Sequence, residues 1–191
     1  MSPFDYAVGL VSILVSLALA DVASSLHRLV RQGRAVTWDG RVILSVAFII
    51  LLVVGMWFQV WFIRNIKEVL SFPSYLWIFL EFLVLFLVCA ACLPDEAVEG
   101  CDLAAFYKRN RVYQWSLLAL FQMSFVLHTI YFNRLAGISS GRMLRVAAAV
   151  TLPLAIFVLL AIIRSRLVHY IALFALLAYY LWAFWGLHLA P

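Results

Sequence analysis

Glu81 is the residue with most to explain. It sits in Trp77-Ile78-Phe79-Leu80-Glu81-Phe82-Leu83, and it is the sole Asp, Glu, Lys or Arg between residues 69 and 94. If that run crosses a membrane, an ionised carboxylate there costs about 2.5–3.5 kcal/mol even on lenient insertion scales. Such a group must find partners or stay protonated. It could hold a proton or a small cation, or it could be a hydrogen-bonded plug that fixes helix packing. Three further polar residues fall within reach in depth. Gln59 lies near the end of the second apolar run, His128 lies in the last turns of the fourth, and Gln122 lies near that run's middle. Alternating helix directions bring Gln59, Glu81 and His128 into the same half of a bilayer. The expected site is therefore an intramembrane cluster of Glu81, Gln59, Gln122 and His128.

A secondary polar site is expected at Asp21, Ser25 and Arg28, which share one helix face near the opposite surface. Either Arg28 snorkels from an interfacial helix end or the three form an ion entrance. Lys108, Arg109 and Arg111 are placed to bind anionic lipid headgroups. The four histidines form two matched pairs, His27 with His169 and His128 with His188, as a two-haem b-type electron carrier would need. All four sit near helix ends, so no cofactor is expected. Cys89, Cys92 and Cys101 lack a fourth ligand for a zinc site, and Asp95, Glu96, Glu99 and Asp102 do not follow EF-hand spacing. No metal is expected. P-loop, GxSxG, HExxH and potassium-filter motifs are missing, no catalytic residue is assigned, and whether the chain is an enzyme stays open.

The elements that must position these groups follow from composition. The chain has 191 residues, 67% hydrophobic and 12% charged, with a mean hydropathy of +1.06. An ordinary soluble domain is about 45–50% apolar and about 25% charged. Disorder, a secreted disulfide scaffold and a typical cytosolic enzyme are excluded by those numbers. Runs of about 20 apolar residues are membrane-spanning helices, and period-two alternation, the mark of a barrel, is missing. The spacing predicts an all-α polytopic bundle with six transmembrane helices, roughly 4–30, 42–63, 74–93, 103–132, 146–163 and 167–189. They form one transmembrane domain over 1–191. Asp102 should cap the fourth helix, and Pro153 should kink the fifth. Gly9, Ser12, Ser16, Ala20 and Ala23 recur at helical spacing and predict a tightly packed seam. The tryptophans are expected to be interface anchors.

Nine of the 14 Lys and Arg residues fall in loops one, three and five, which predicts that those loops are cytoplasmic and both termini are not. The N-terminal segment has no basic n-region and reads as a retained helix. The net charge of +5 reflects these loops, and nothing points to nucleic acid. Leu26-His27 with Gly40-Arg41 is echoed by Leu127-His128 with Gly141-Arg142 at an offset of 101 residues, as in an inverted repeat. Only four identities carry that echo, and coincidence is the simpler account.

The segment Val11-Ser12-Ile13-Leu14-Val15-Ser16-Leu17-Ala18-Leu19-Ala20-Asp21 leads into Leu26-His27-Arg28-Leu29. Together with Leu93-Pro94-Asp95, Asp102-Leu103, Tyr107 and Arg109-Asn110-Arg111, it resembles a family of small uncharacterised bacterial multi-spanning inner-membrane proteins. The resemblance implies a location in the bacterial inner membrane and no activity. Three function classes stay open. One is a channel or transporter moving protons or a small cation past Glu81. Another is a non-catalytic module that packs against lipids, a partner protein or further copies of itself. The third is a haem-carrying electron-transfer subunit.

Overall fold

The computed structural model describes residues 3–60, 71–94, 100–135, 137 and 140–186. Among them the chain is helical throughout, apart from short connections. Its helices are α1 (Pro3–Gln32), α2 (Gly40–Val60), α3 (Phe72–Ala91), α4 (Leu103–Leu135), α5 (Ser140–Ile162) and α6 (Arg166–Trp185), with a 3₁₀ turn at Gly33–Ala35. Five of these, all except α5, are long and apolar enough to cross a membrane; the apolar part of α5 is Ala148–Ile162. The protein is a membrane-embedded helical bundle. Outward-facing Leu17, Ile50, Leu120, Leu152 and Phe174 are exposed, as expected where lipid replaces water as the solvent.

The principal helix pairings are α4 with α5, α1 with α3, α3 with α4, and α2 with α6. An inverted repeat would match the α1–α3 pairing with an equally extensive one between α4 and α6, and α4–α6 is not among these principal pairings of the described residues.

On α1 the buried stripe is Val11, Val15, Ala18, Val22, Ser25 and Leu29, alternating steps of four and three. This is the 3.5-residue period of a coiled-coil seam. The small-residue seam expected from Gly9, Ser16, Ala20 and Ala23 is corrected: these four face outward, and only Ser12 is half-buried. A Cβ added at Gly9 would meet nothing. The β-branched stripe fills the interior instead, and Ser16 Oγ donates back to the Ser12 carbonyl at 2.8 Å. The close helix approach lies elsewhere, at Gly55 on α2, where a Cβ would come within 2.0 Å of the Phe184 ring on α6.

Asp102 caps α4 as expected, with Oδ1 accepting from the N–H groups of Ala104 at 2.8 Å and Ala105 at 3.2 Å. Loop one is tied to this same helix start. Thr37 N–H donates to the Cys101 carbonyl at 3.0 Å, and Leu103 N–H donates to the Thr37 carbonyl at 3.1 Å.

Pro153 lies inside α5. A proline has no N–H for the carbonyl four residues back, which here is that of Ala149. The hydroxyl of Tyr179 on α6 supplies the missing donor at 3.0 Å. The adjacent carbonyl, Val150, accepts from Gln122 Nε2 on α4 at 2.5 Å. Gln122 Oε1 in turn accepts from the Tyr180 hydroxyl at 3.0 Å. Neighbouring helices thus restore donors at the proline, the condition for tolerating it in a bilayer.

Tryptophan placement is mixed. Trp182 and Trp185 are exposed on α6, while Trp115 is fully buried. The expectation that every tryptophan is an interface anchor is therefore corrected at Trp115, which packs against Phe48 and Phe157. Trp61 lies outside the described residues.

Candidate functional site

Two polar clusters lie on α4. Tyr107 and His128 mark their levels, about 31 Å apart along the helix at 1.5 Å per residue. That is close to the thickness of the hydrocarbon layer.

The first cluster joins α3 to α4. Glu81 is 5% exposed. Its Oε1 accepts from Ser124 Oγ at 3.0 Å, and its Oε2 lies 2.8 Å from His128 Nδ1. Trp77, one turn before Glu81, donates its indole N–H to Ser124 Oγ at 2.8 Å. The imidazole of His128 packs against the rings of Phe132 at 4.5 Å, Trp77 at 5.8 Å and Phe125 at 6.3 Å between centroids. Each oxygen of the carboxylate thus has a hydrogen-bond partner, beside an aromatic wall.

Two of the four residues expected in this cluster are in contact. Gln122 is corrected: it belongs to the surroundings of Pro153 described above, where both ends of its amide are engaged. Gln59 is half-buried near the end of α2, and among the described residues it makes no hydrogen bond to Glu81 or His128. Ser124 and Trp77 take the places these two glutamines were expected to fill.

At the secondary site, Arg28 donates to Ser25 Oγ at 2.7 Å. Asp21 stands apart from that pair and lies within electrostatic reach of the Cys89 and Cys92 thiols. The three cysteines are free thiols.

The second cluster lies at the other end of the bundle. His169 Nε2 faces the Ile163 carbonyl at 2.8 Å, so that nitrogen carries the proton and Nδ1 accepts from the Tyr107 hydroxyl at 2.7 Å. Trp115 donates its indole N–H to the same hydroxyl at 3.1 Å. Arg111 also donates to the Ile163 carbonyl. The guanidinium of Arg41 lies 5.0 Å from the centre of the Tyr107 ring and forms a two-pronged pair with Asp39 at 2.9 and 2.8 Å. That pairing holds the Asp39 carboxyl below its ordinary value, with the Arg41 hydrogen bond as the largest cause. A lowered carboxyl pKa stabilises the fold above the unfolded value of about 3.9 and loses that contribution as pH falls through the folded value. The Arg41–Asp39 pair is therefore intact at neutral pH.

The headgroup trio expected at residues 108, 109 and 111 is split. Lys108 and Arg109 are exposed, whereas Arg111 is buried and turned inward. Of the histidines, His27 is exposed, His128 and His169 are bonded within the protein, and His188 lies outside the described residues. Among the described residues no group of three or more His, Cys, Asp or Glu side chains could hold a metal.

Compared with protein-family models, curated proteins and solved structures, the chain matches none of them.

Proposed function

We propose that this protein is a small membrane transporter that moves protons, with Glu81 and His128 as its proton-holding pair. The observation that carries the reading is the 2.8 Å contact between His128 Nδ1 and Glu81 Oε2. A carboxyl and an imidazole in contact can share one proton in two arrangements. One is carboxylate with imidazolium; the other is neutral acid with neutral imidazole. Exchange between them needs little movement of heavy atoms. A proton suits the site better than a metal cation. Calcium-like ions take about six to eight oxygen ligands, while both oxygens of Glu81 are already occupied and only Ser124 adds another.

A second reading, a hydrogen-bonded clamp between α3 and α4, is favoured by a specific feature. Buried Leu118 and Phe121 lie on α4 between the two polar clusters, and Gln122 at that level is already bonded to Val150 and Tyr180. Under the transport reading, proton release toward the opposite face therefore requires the helices to rearrange.

The two readings separate in proteoliposomes under an imposed pH gradient. Wild type should carry proton flux above empty vesicles, and Glu81→Gln should lose it while keeping its melting temperature within a few degrees. A clamp predicts no flux from either protein.

The pathway also needs a direction. The proposed arrangement in the bacterial inner membrane puts loops one, three and five in the cytoplasm. Reporter fusions after residues 36, 98 and 165 should then report cytoplasm, and fusions after 68, 137 and 191 periplasm. The reverse pattern would show that Arg134, Arg142 and Arg145 outweigh the basic residues of loop one.

A further inference from the structure

A cavity of about 570 Å³ opens where the first turns of α2, α4 and α6 meet. Five basic side chains from three separate parts of the chain line it: Arg41, Lys108, Arg111, Arg164 and Arg166. Asp102 is the acid among its lining residues, and its Oδ1 is already committed to two backbone N–H groups of α4. Asp39 pairs with Arg41 and also lies within electrostatic reach of Arg166. The lining thus carries an excess of positive charge.

Two further observations point to a ligand. Arg111 is 9% exposed, yet its Nε has no hydrogen-bond partner. A buried donor on a charged group left unsatisfied is costly, and a bound acceptor oxygen would remove that cost. In addition, α6 begins at the cavity, and its N-cap, Ser165, makes no side-chain capping bond. The first N–H groups of that helix, at the positive end of its dipole, are left without a capping oxygen.

We propose that this cavity binds a phosphate group, carried either by an anionic lipid headgroup or by a soluble phosphate compound. Several guanidinium forks match the tetrahedral acceptor oxygens of phosphate, which they bind in two-pronged fashion. The cavity lies at the level of Tyr107, near the hydrocarbon boundary where headgroup phosphates are found. Exposed, apolar Val112 also lines it, which gives an acyl chain a surface to follow.

The test uses the full chain in neutral detergent, with native mass spectrometry reading bound phosphatidic acid against phosphatidylcholine. A parallel titration uses inorganic phosphate. Arg164→Gln/Arg166→Gln removes two exposed lining charges. Arg31→Gln/Arg34→Gln removes two charges outside the cavity and serves as the control. Wild type should retain phosphatidic acid in preference to phosphatidylcholine. The cavity variant should bind it about 10- to 30-fold more weakly, from the roughly fivefold that each basic side chain contributes near a membrane surface. The control should stay within about twofold on the same scale. Arg111→Lys keeps the charge but loses the Nε donor, and it should also weaken binding. Inorganic phosphate binding without phosphatidic acid binding, lost in the same variant, supports the site and assigns it to a soluble phosphate compound. Equal losses in cavity and control variants would mean non-specific surface attraction and would overturn the proposal. So would unchanged binding in a cavity variant whose melting temperature matches wild type.

Discussion

His128→Leu should be among the most destabilising single substitutions in this protein, by roughly 3–5 kcal/mol, because it leaves the Glu81 carboxylate buried with one partner gone. Glu81 is 5% exposed, and its remaining bond is to Ser124. The double variant Glu81→Leu/His128→Leu should recover most of the stability, since replacing both partners of a buried pair with apolar groups is often neutral or better. The interaction energy from the four proteins, measured by thermal unfolding in detergent, should be large and favourable. Near-additive losses would mean that the two side chains act separately.

Gln122→Leu should have the next largest effect, on the order of 1–3 kcal/mol, because it leaves the buried Tyr180 hydroxyl without its partner and removes the interhelical donor to the Val150 carbonyl beside Pro153. The cause predicts its own partial rescue. Pro153→Ala returns an N–H to position 153, which can donate to the Ala149 carbonyl. The neighbouring Val150 carbonyl then depends less on Gln122. The penalty of Gln122→Leu should therefore be clearly smaller in the Pro153→Ala background than in wild type. An equal penalty in both backgrounds, read from melting temperatures, would separate Gln122 from Pro153.

The helices and their ends are legible in the sequence because lipid imposes long apolar runs and Asp102 and Pro153 are strong local signals. The faces are harder. The expected cluster used depth alone, and depth does not fix angle around the helix axis. At about 100° per residue, Ser124 and His128 lie nearly in line on α4, whereas Gln122 points about 120° away from His128. That arithmetic places Ser124 beside Glu81 and sends Gln122 to α5 and α6. On α1 the small residues are conspicuous, but the period of 3.5 running through Val11, Val15, Ala18 and Val22 marks the buried side.

The basic cavity is the feature that sequence hides most completely. Arg41 reads as a topology marker of loop one, and Arg164 and Arg166 as markers of loop five. They converge only when Thr37 ties loop one to the start of α4 and α6 begins beside it. One local signal was available. Arg164 and Arg166 flank the N-cap of a helix whose first turn carries His169, and basic residues are unfavourable at a helix start unless an anion compensates them.

The most direct measurement of the transport account is the proton inventory of the Glu81–His128 pair. Infrared difference spectra of the reconstituted protein, recorded from about pH 4 to about pH 9 around the ordinary carboxyl and imidazole values, would read it. The account predicts a carboxyl signal that changes with pH together with an imidazole signal. The carboxyl change should vanish in Glu81→Gln, and the imidazole change should vanish in His128→Gln. A Glu81 that neither takes up nor releases a proton anywhere in that range would contradict the account, because a group that never exchanges its proton cannot pass one across the membrane.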